Sequence, residues 1–124
     1  MKTQIELARE GIITRQMEQV AADENFSPEI IRQRVANGEI VIPNNHNRSG
    51  QIVRGIGTGL RTKVNASIGT SSDICNIDDE VRKAIAAEEE GADTLMELSA
   101  GGNLDRVRQE VLAATRLPVG NVPL

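Results

Sequence analysis

Apolar positions at the start of the chain recur at helical spacing, at Ile5, Leu7, Ala8, Ile12, Ile13, Met17, Val20 and Ala21, with breaks at Gly11 and Thr14. The pattern predicts two short helices within residues 3 to 23, the second capped by Thr14. Ser27-Pro-Glu-Ile-Ile predicts a third. Its serine hydroxyl can accept from the orphan amides of a first turn, and Pro28 at the first helical position gives up no needed donor. Gly38 ends that helix. Residues 39 to 42, Glu-Ile-Val-Ile, change to the β-branched content of a strand, which Pro43 closes. Between 44 and 60 the density of Asn, Ser and Gly forbids a long regular element and leaves room for a brief hairpin strand at Gln51-Ile-Val-Arg54.

From Arg61 the pattern becomes strand, loop, helix, strand, loop, helix, strand, with strand starts near residues 62, 93 and 118. That spacing matches βαβ units of roughly 30 residues. Asn76 is placed to cap the first of these helices, with Asp78, Asp79 and Glu80 against the positive end of its dipole. Ile77, Val81, Ala84 and Ile85 form its buried stripe, and Gly91 supplies the stop. Asn103 caps the next, whose inner face is Leu104, Val107, Val111 and Leu112. Right-handed crossovers place the three strands side by side in parallel.

The fold class expected is α/β. A mostly helical N-terminal domain, residues 1–58, is followed by residues 59–124, the first βαβαβ portion of a (β/α)8 barrel. Such a sheet standing alone has open edges and helices on one face, and Val119 to Leu124 stops in an apolar segment, so the remaining strands are expected outside this sequence. A small doubly wound sheet is the alternative, for which three strands are few.

Composition narrows the function classes. Phe26 is the only aromatic residue, so stacking platforms for bases are absent, and a net charge of −4 with scattered Lys and Arg gives no footprint for a phosphate backbone. Nucleic acid is not an expected partner. Cys75 is the only cysteine, which excludes an internal disulfide or thiolate cluster and suggests a reducing compartment. The start lacks the apolar run of a signal peptide and no stretch reads as a membrane span, so a cytoplasmic location is expected.

On a barrel, chemistry belongs at the carboxyl ends of the strands. Asn65 and Ser67 share a strand face, and Lys63 shares it by the same alternation. An amide, a hydroxyl and an ammonium make a grip on a polar heterocycle carrying a ribose phosphate; equally, the lysine lies outward and the others bond local backbone. Ile68-Gly-Thr-Ser-Ser72 can present backbone amides to a phosphate, but it is no Walker loop, and such stretches are more often ordinary βα turns. Met96, near Ser99, is a thioether for core packing or for a ligand. Glu97 lacks a paired carboxylate for acid–base work, His46 reads as solvated, and Glu88-Glu89-Glu90 reads as a solvated helix end.

Four blocks carry a resemblance: Ile42-Pro-Asn-Asn-His-Asn47, Lys63-Val-Asn-Ala-Ser-Ile-Gly69, Gly91-Ala-Asp-Thr-Leu-Met-Glu-Leu-Ser99 and Pro118-Val-Gly-Asn-Val-Pro123. In that order they resemble the phosphomethylpyrimidine synthase (thiamin pyrimidine synthase) superfamily, and within it the 5-hydroxybenzimidazole synthase branch. The resemblance implies a radical S-adenosylmethionine lyase that rearranges aminoimidazole ribotide, in one branch to the thiamin pyrimidine and in the other to 5-hydroxybenzimidazole, the lower ligand of cobalamin. It further implies a [4Fe-4S] cluster on three C-terminal cysteines, S-adenosylmethionine, a second metal such as zinc, and a homodimer at full length.

Carried over by position, the resemblance makes Asn65, Ser67 and Met96 substrate-binding residues. Where the thiamin branch has Asn-x-Asn, this chain has Asn65-Ala-Ser67, and a hydroxyl has shorter reach than an amide. That change, and Met96-Glu97 in place of Met-Asp, favours the benzimidazole branch. The family's next site residue, a tyrosine, would follow Leu124, as would the metal-site histidines, the later carboxylates and the cluster cysteines. One thiolate, Cys75, does not hold a cubane. The expectation is an N-terminal portion inactive by itself; a non-catalytic ribotide-phosphate binding or docking module is the other class.

Overall fold

A computed structural model describes residues 1–122, and these divide into two compact units. Met1–Asn47 and Val53–Thr62 form the first unit; Arg48–Ile52 and the chain from Lys63 onward form the second.

The first unit contains α1 (Gln4–Arg9), α2 (Arg15–Glu24), α3 (Pro28–Ala36), β1 (Ile40–Val41) and β2 (Ile56–Gly57). The caps are those the local sequence dictates. Thr3 and Glu6 form a capping box on α1, the Thr14 hydroxyl accepts from the Met17 N–H at 3.2 Å, and that of Ser27 accepts from Ile30 ahead of Pro28. Arg32 Nη1 donates to the Ala8 carbonyl at 2.6 Å and Arg9 Nε to that of Ala36 at 3.1 Å, so the C-termini of α1 and α3 are each bonded by a guanidinium from the other helix. Ala8, Met17, Val20, Ala21, Ile31, Val35, Ile40, Ile42 and Val53 make the core.

The strand expected over Gln51–Arg54 is not formed; β2 lies further on, pairing antiparallel with β1 in the register Ile40↔Gly57 and Val41↔Ile56. Gly57 explains the shift. A Cβ there would stand 2.0 Å from the Glu39 carbonyl oxygen, so the ribbon closes where a residue without a side chain is available.

The second unit is a three-stranded parallel sheet in the order β3-β4-β5, with β3 at Asn65–Ile68, β4 at Thr94–Glu97 and β5 at Val119–Asn121. Between strands run α4 (Ile77–Glu89), capped by Asn76, and α5 (Leu104–Ala114), capped by Asn103. Ile68, Ala84, Leu95, Val107 and Val111 form the core, with Ala66, Ile77, Ala87 and Val119 packed against it. The α/β class therefore holds, with a small parallel sheet and helices on one face of it. Two stripe positions differ from expectation: Ile85 and Leu112 are 39% and 36% exposed, while Glu80 is buried. The stripe of α4 is turned so that Glu80 goes inward with Lys83 Nζ at 2.6 Å from its Oε1.

Arg48 secures the end of α5. Its guanidinium donates to the carbonyls of Leu112 at 3.1 Å and Thr115, which the helix end leaves without intrahelical partners, and to that of Leu117 at 2.6 Å in the segment that follows. Among the described residues no helix is long and apolar enough to cross a membrane.

Candidate functional site

Alternation along β3 and β4 sorts their side chains. Ala66, Ile68, Leu95 and Glu97 go to the helix-covered side, and Asn65, Ser67, Thr94 and Met96 to the other. The parallel register then sets Asn65 beside Thr94, and Ser67 beside Met96, which itself lies beside Gly120. Asn65 and Ser67 are exposed; Met96 is half-buried. The three residues expected to meet a substrate are thus brought onto one sheet face, in two adjoining rows.

Two neighbours complete that face. The Thr94 hydroxyl donates to Asn65 Oδ1 at 2.8 Å. At Gly120 a Cβ would stand 2.7 Å from Met96 Sδ, so the methionine side chain lies across the space that glycine leaves. Reading the sequence missed both residues. The alternation of Thr94 with Met96 was a usable signal; the register that adds Gly120 was not visible. Lys63 is half-buried and precedes the first residue of β3, so the strand alternation does not carry it onto this face.

The loops at the carboxyl ends of β3 and β4 are bonded to each other. The Thr70 N–H donates to Ser99 Oγ at 3.0 Å, the Thr70 hydroxyl donates to the Gly101 carbonyl at 2.6 Å and accepts from the Gly101 N–H at 3.3 Å, and the Ala100 N–H donates to the Thr70 carbonyl. The Ser71 N–H donates to the Ile74 carbonyl at 3.0 Å. Consequently the Thr70 and Ser71 amides are taken by protein acceptors. Cys75 is exposed, its thiol donating to the Ser71 carbonyl at 2.7 Å.

Glu97 faces away from Met96 and is 1% exposed. Its Oε1 accepts from the Ser99 N–H at 2.7 Å and its Oε2 from Arg108 Nε at 3.2 Å, so both oxygens fix the strand end and neither reaches the open face. Glu88 corrects the reading of its run as fully solvated, because it accepts from the Thr115 hydroxyl and from the Arg116 backbone and guanidinium. Burial pushes its carboxyl up, but those donors outweigh this and hold it below the usual carboxylate range. His46 is exposed and lines a cleft of about 550 Å³ in the first unit, with Lys2, Gln4, Val41 and Asn44. Among the described residues no three His, Cys, Asp or Glu come together as a metal site.

A family model described as the Radical SAM ThiC family matches residues 3–124. The chain is 83% identical over 124 residues to the 5-hydroxybenzimidazole synthase of Desulforapulum autotrophicum and 70% identical to that of Geobacter metallireducens; each match covers 100% of this chain and 28% of the relative. It is 52% identical over 122 residues to the phosphomethylpyrimidine synthase of Carboxydothermus hydrogenoformans, covering 98% of this chain and 28% of that protein.

Proposed function

The chain belongs to the Radical SAM ThiC family, and on that premise we propose that it is the N-terminal portion of a radical S-adenosylmethionine enzyme converting aminoimidazole ribotide to 5-hydroxybenzimidazole. In this reading residues 59–124 open a (β/α)8 barrel, and residues 1–58 are a separate N-terminal helical domain. Consecutive parallel strands with both crossover helices on one face support the barrel.

Asn65, Ser67 and Met96 hold the ribotide in this reading, positioning it rather than exchanging protons with it. The observation that carries the assignment is their common place on the sheet face opposite α4 and α5, with Gly120 making room for the methionine. The benzimidazole branch is favoured by 83% and 70% identity to proteins of that name, against 52% to the pyrimidine synthase above, and by Ser67 itself.

The residues of this chain do not fit an iron–sulfur cluster. One cysteine, bonded to a backbone carbonyl and without neighbouring ligands among the described residues, does not supply the thiolates a cubane needs. In this reading the cluster and S-adenosylmethionine are held by the larger part of the protein, and so is any further metal such as zinc.

The test is to reconstitute the full-length protein with iron and sulfide and identify what it makes from aminoimidazole ribotide. 5-Hydroxybenzimidazole is expected. The phosphorylated pyrimidine would assign the other branch, and neither product would overturn the proposal. The isolated 124-residue chain is expected to form no 5′-deoxyadenosine.

A further inference from the structure

Asn65 and Thr94 stand side by side across the β3–β4 pair, with the Thr94 hydroxyl donating to Asn65 Oδ1 at 2.8 Å. A carboxamide has an acceptor end, its oxygen, and a donor end, its NH2. Thr94 takes one lone pair of that oxygen and so fixes which end of the amide lies toward β4, which makes the NH2 the end turned to a ligand. A β-branched threonine is stiff about χ1, which keeps the hydroxyl, and through it the amide, in one orientation.

We propose that Thr94 is a positioning residue that sets the polarity of the open face. It makes Asn65 a fixed donor, so the ligand atom meeting Asn65 is a hydrogen-bond acceptor. The assignment rests on the ribotide reading above and specifies the chemistry of one of its contacts. The other groups on that face leave this role to Asn65. The Ser67 hydroxyl adapts as donor or acceptor, the Met96 thioether is a weak acceptor only, and Gly120 has no side chain. Among these five residues the Asn65 NH2 is the one obligate donor. Ring-nitrogen lone pairs, sugar oxygens and phosphate oxygens all satisfy it; an exocyclic amine does not.

The experiment uses the full-length protein and measures calorimetric binding of aminoimidazole ribotide and of its phosphate-free riboside to the wild type, Thr94→Val, Thr94→Ser and Asn65→Asp. Thr94→Val keeps the branched shape and loses the hydroxyl; it is expected to weaken ribotide binding about tenfold, as for one lost neutral hydrogen bond and a freed amide. Thr94→Ser is expected to return affinity to within about twofold of wild type. In turnover the Thr94→Val defect is expected in KM, with kcat held.

Asn65→Asp preserves the acceptor that Thr94 bonds and replaces the outward donor by an acceptor, so it is expected to cost more than about tenfold for the ribotide. A loss that persists with the riboside places the acceptor on the ring or sugar, and a loss confined to the ribotide places it on the phosphate; both support the assigned polarity. Thr94→Val binding like wild type, or Asn65→Asp binding at least as tightly, overturns the assignment alone. A wild type that binds no ribotide overturns the ribotide reading and the assignment together.

Discussion

The two units fill their interiors differently. In the first, the buried side chains are apolar, from Ala8 to Val53. In the second, seven buried apolar residues are accompanied by Thr70, Glu80, Asp93, Glu97, Ser99 and Thr115, which are all the buried polar and charged side chains of the described residues. Apolar contact is nondirectional and tolerates sliding, whereas a buried polar group must meet its partner at a set distance and angle. The polar groups of the second unit sit where position matters for the site. Asp93 accepts from the Val64 N–H at 2.8 Å at the entry to β3 and β4, Glu97 closes the end of β4, and Thr70 with Ser99 joins the loops beyond. One unit is held together by packing, the other is also held in register.

The largest expected effects test whether the units are energetically separate. Met17→Ala and Leu95→Ala each remove a side chain with no exposure, and each is expected to cost about 4 kcal/mol. Hydrogen exchange should accelerate chiefly in the first unit for Met17→Ala and in the second for Leu95→Ala. Equal acceleration throughout would break the comparison.

Next comes Glu97→Ala, which leaves the Ser99 amide and the Arg108 guanidinium without their buried acceptor and is expected to cost about 3 kcal/mol in denaturant unfolding. A loss below about 0.5 kcal/mol would mean that apolar packing holds this unit too.

The acid response tests one polar contact of the second unit by itself. Glu88 has a folded pKa below its ordinary value of 4.5, so its stabilising share is present above that value and is lost as pH falls through the lower folded one. Glu88→Gln should therefore flatten the fall of the urea midpoint of the second unit below about pH 4.5. An unchanged slope would remove Glu88 from the acid-sensitive set.

The smallest stability effect is expected for Gly120→Ala. The new methyl meets the thioether end of Met96, a flexible group that can swing away, so unfolding should change by less than about 1 kcal/mol. Ribotide affinity should nevertheless fall, because Met96 no longer lies where the native face has it. Unaltered affinity would exclude Met96 from the substrate contacts.

How much of this was legible from the chain depends on the range of the determining interaction. Thr14, Ser27 with Pro28, Asn76 and Asn103 announce helix starts because each cap bonds an amide two or three residues away. β2 was misplaced because its position is set by close approach to Glu39, some eighteen residues earlier in the chain. The inward turn of Glu80 and the structural use of Glu97 depend on Lys83 and Arg108, pairings that apolar periodicity does not report. Asn65 and Ser67 share a face by alternation alone, but the addition of Met96 and Gly120 required the inter-strand register. The sequence patterns therefore indicated which groups one strand offers, while the sheet determined which of them meet.

The reciprocal bonding of Thr70 with Gly101 bears on how this rim can be re-engineered. One inserted residue between Ile68 and Ser71, or between Leu98 and Gly101, would put the matched donors and acceptors out of step. Length is thus rigid there, and so are the hydroxyls of Thr70 and Ser99 and the bare Cα of Gly101, where a Cβ would stand 2.1 Å from the Ser71 carbonyl oxygen. Randomised libraries belong at the exposed Ser72 and Asp73, whereas loop grafts of unequal size across these two turns should be rejected.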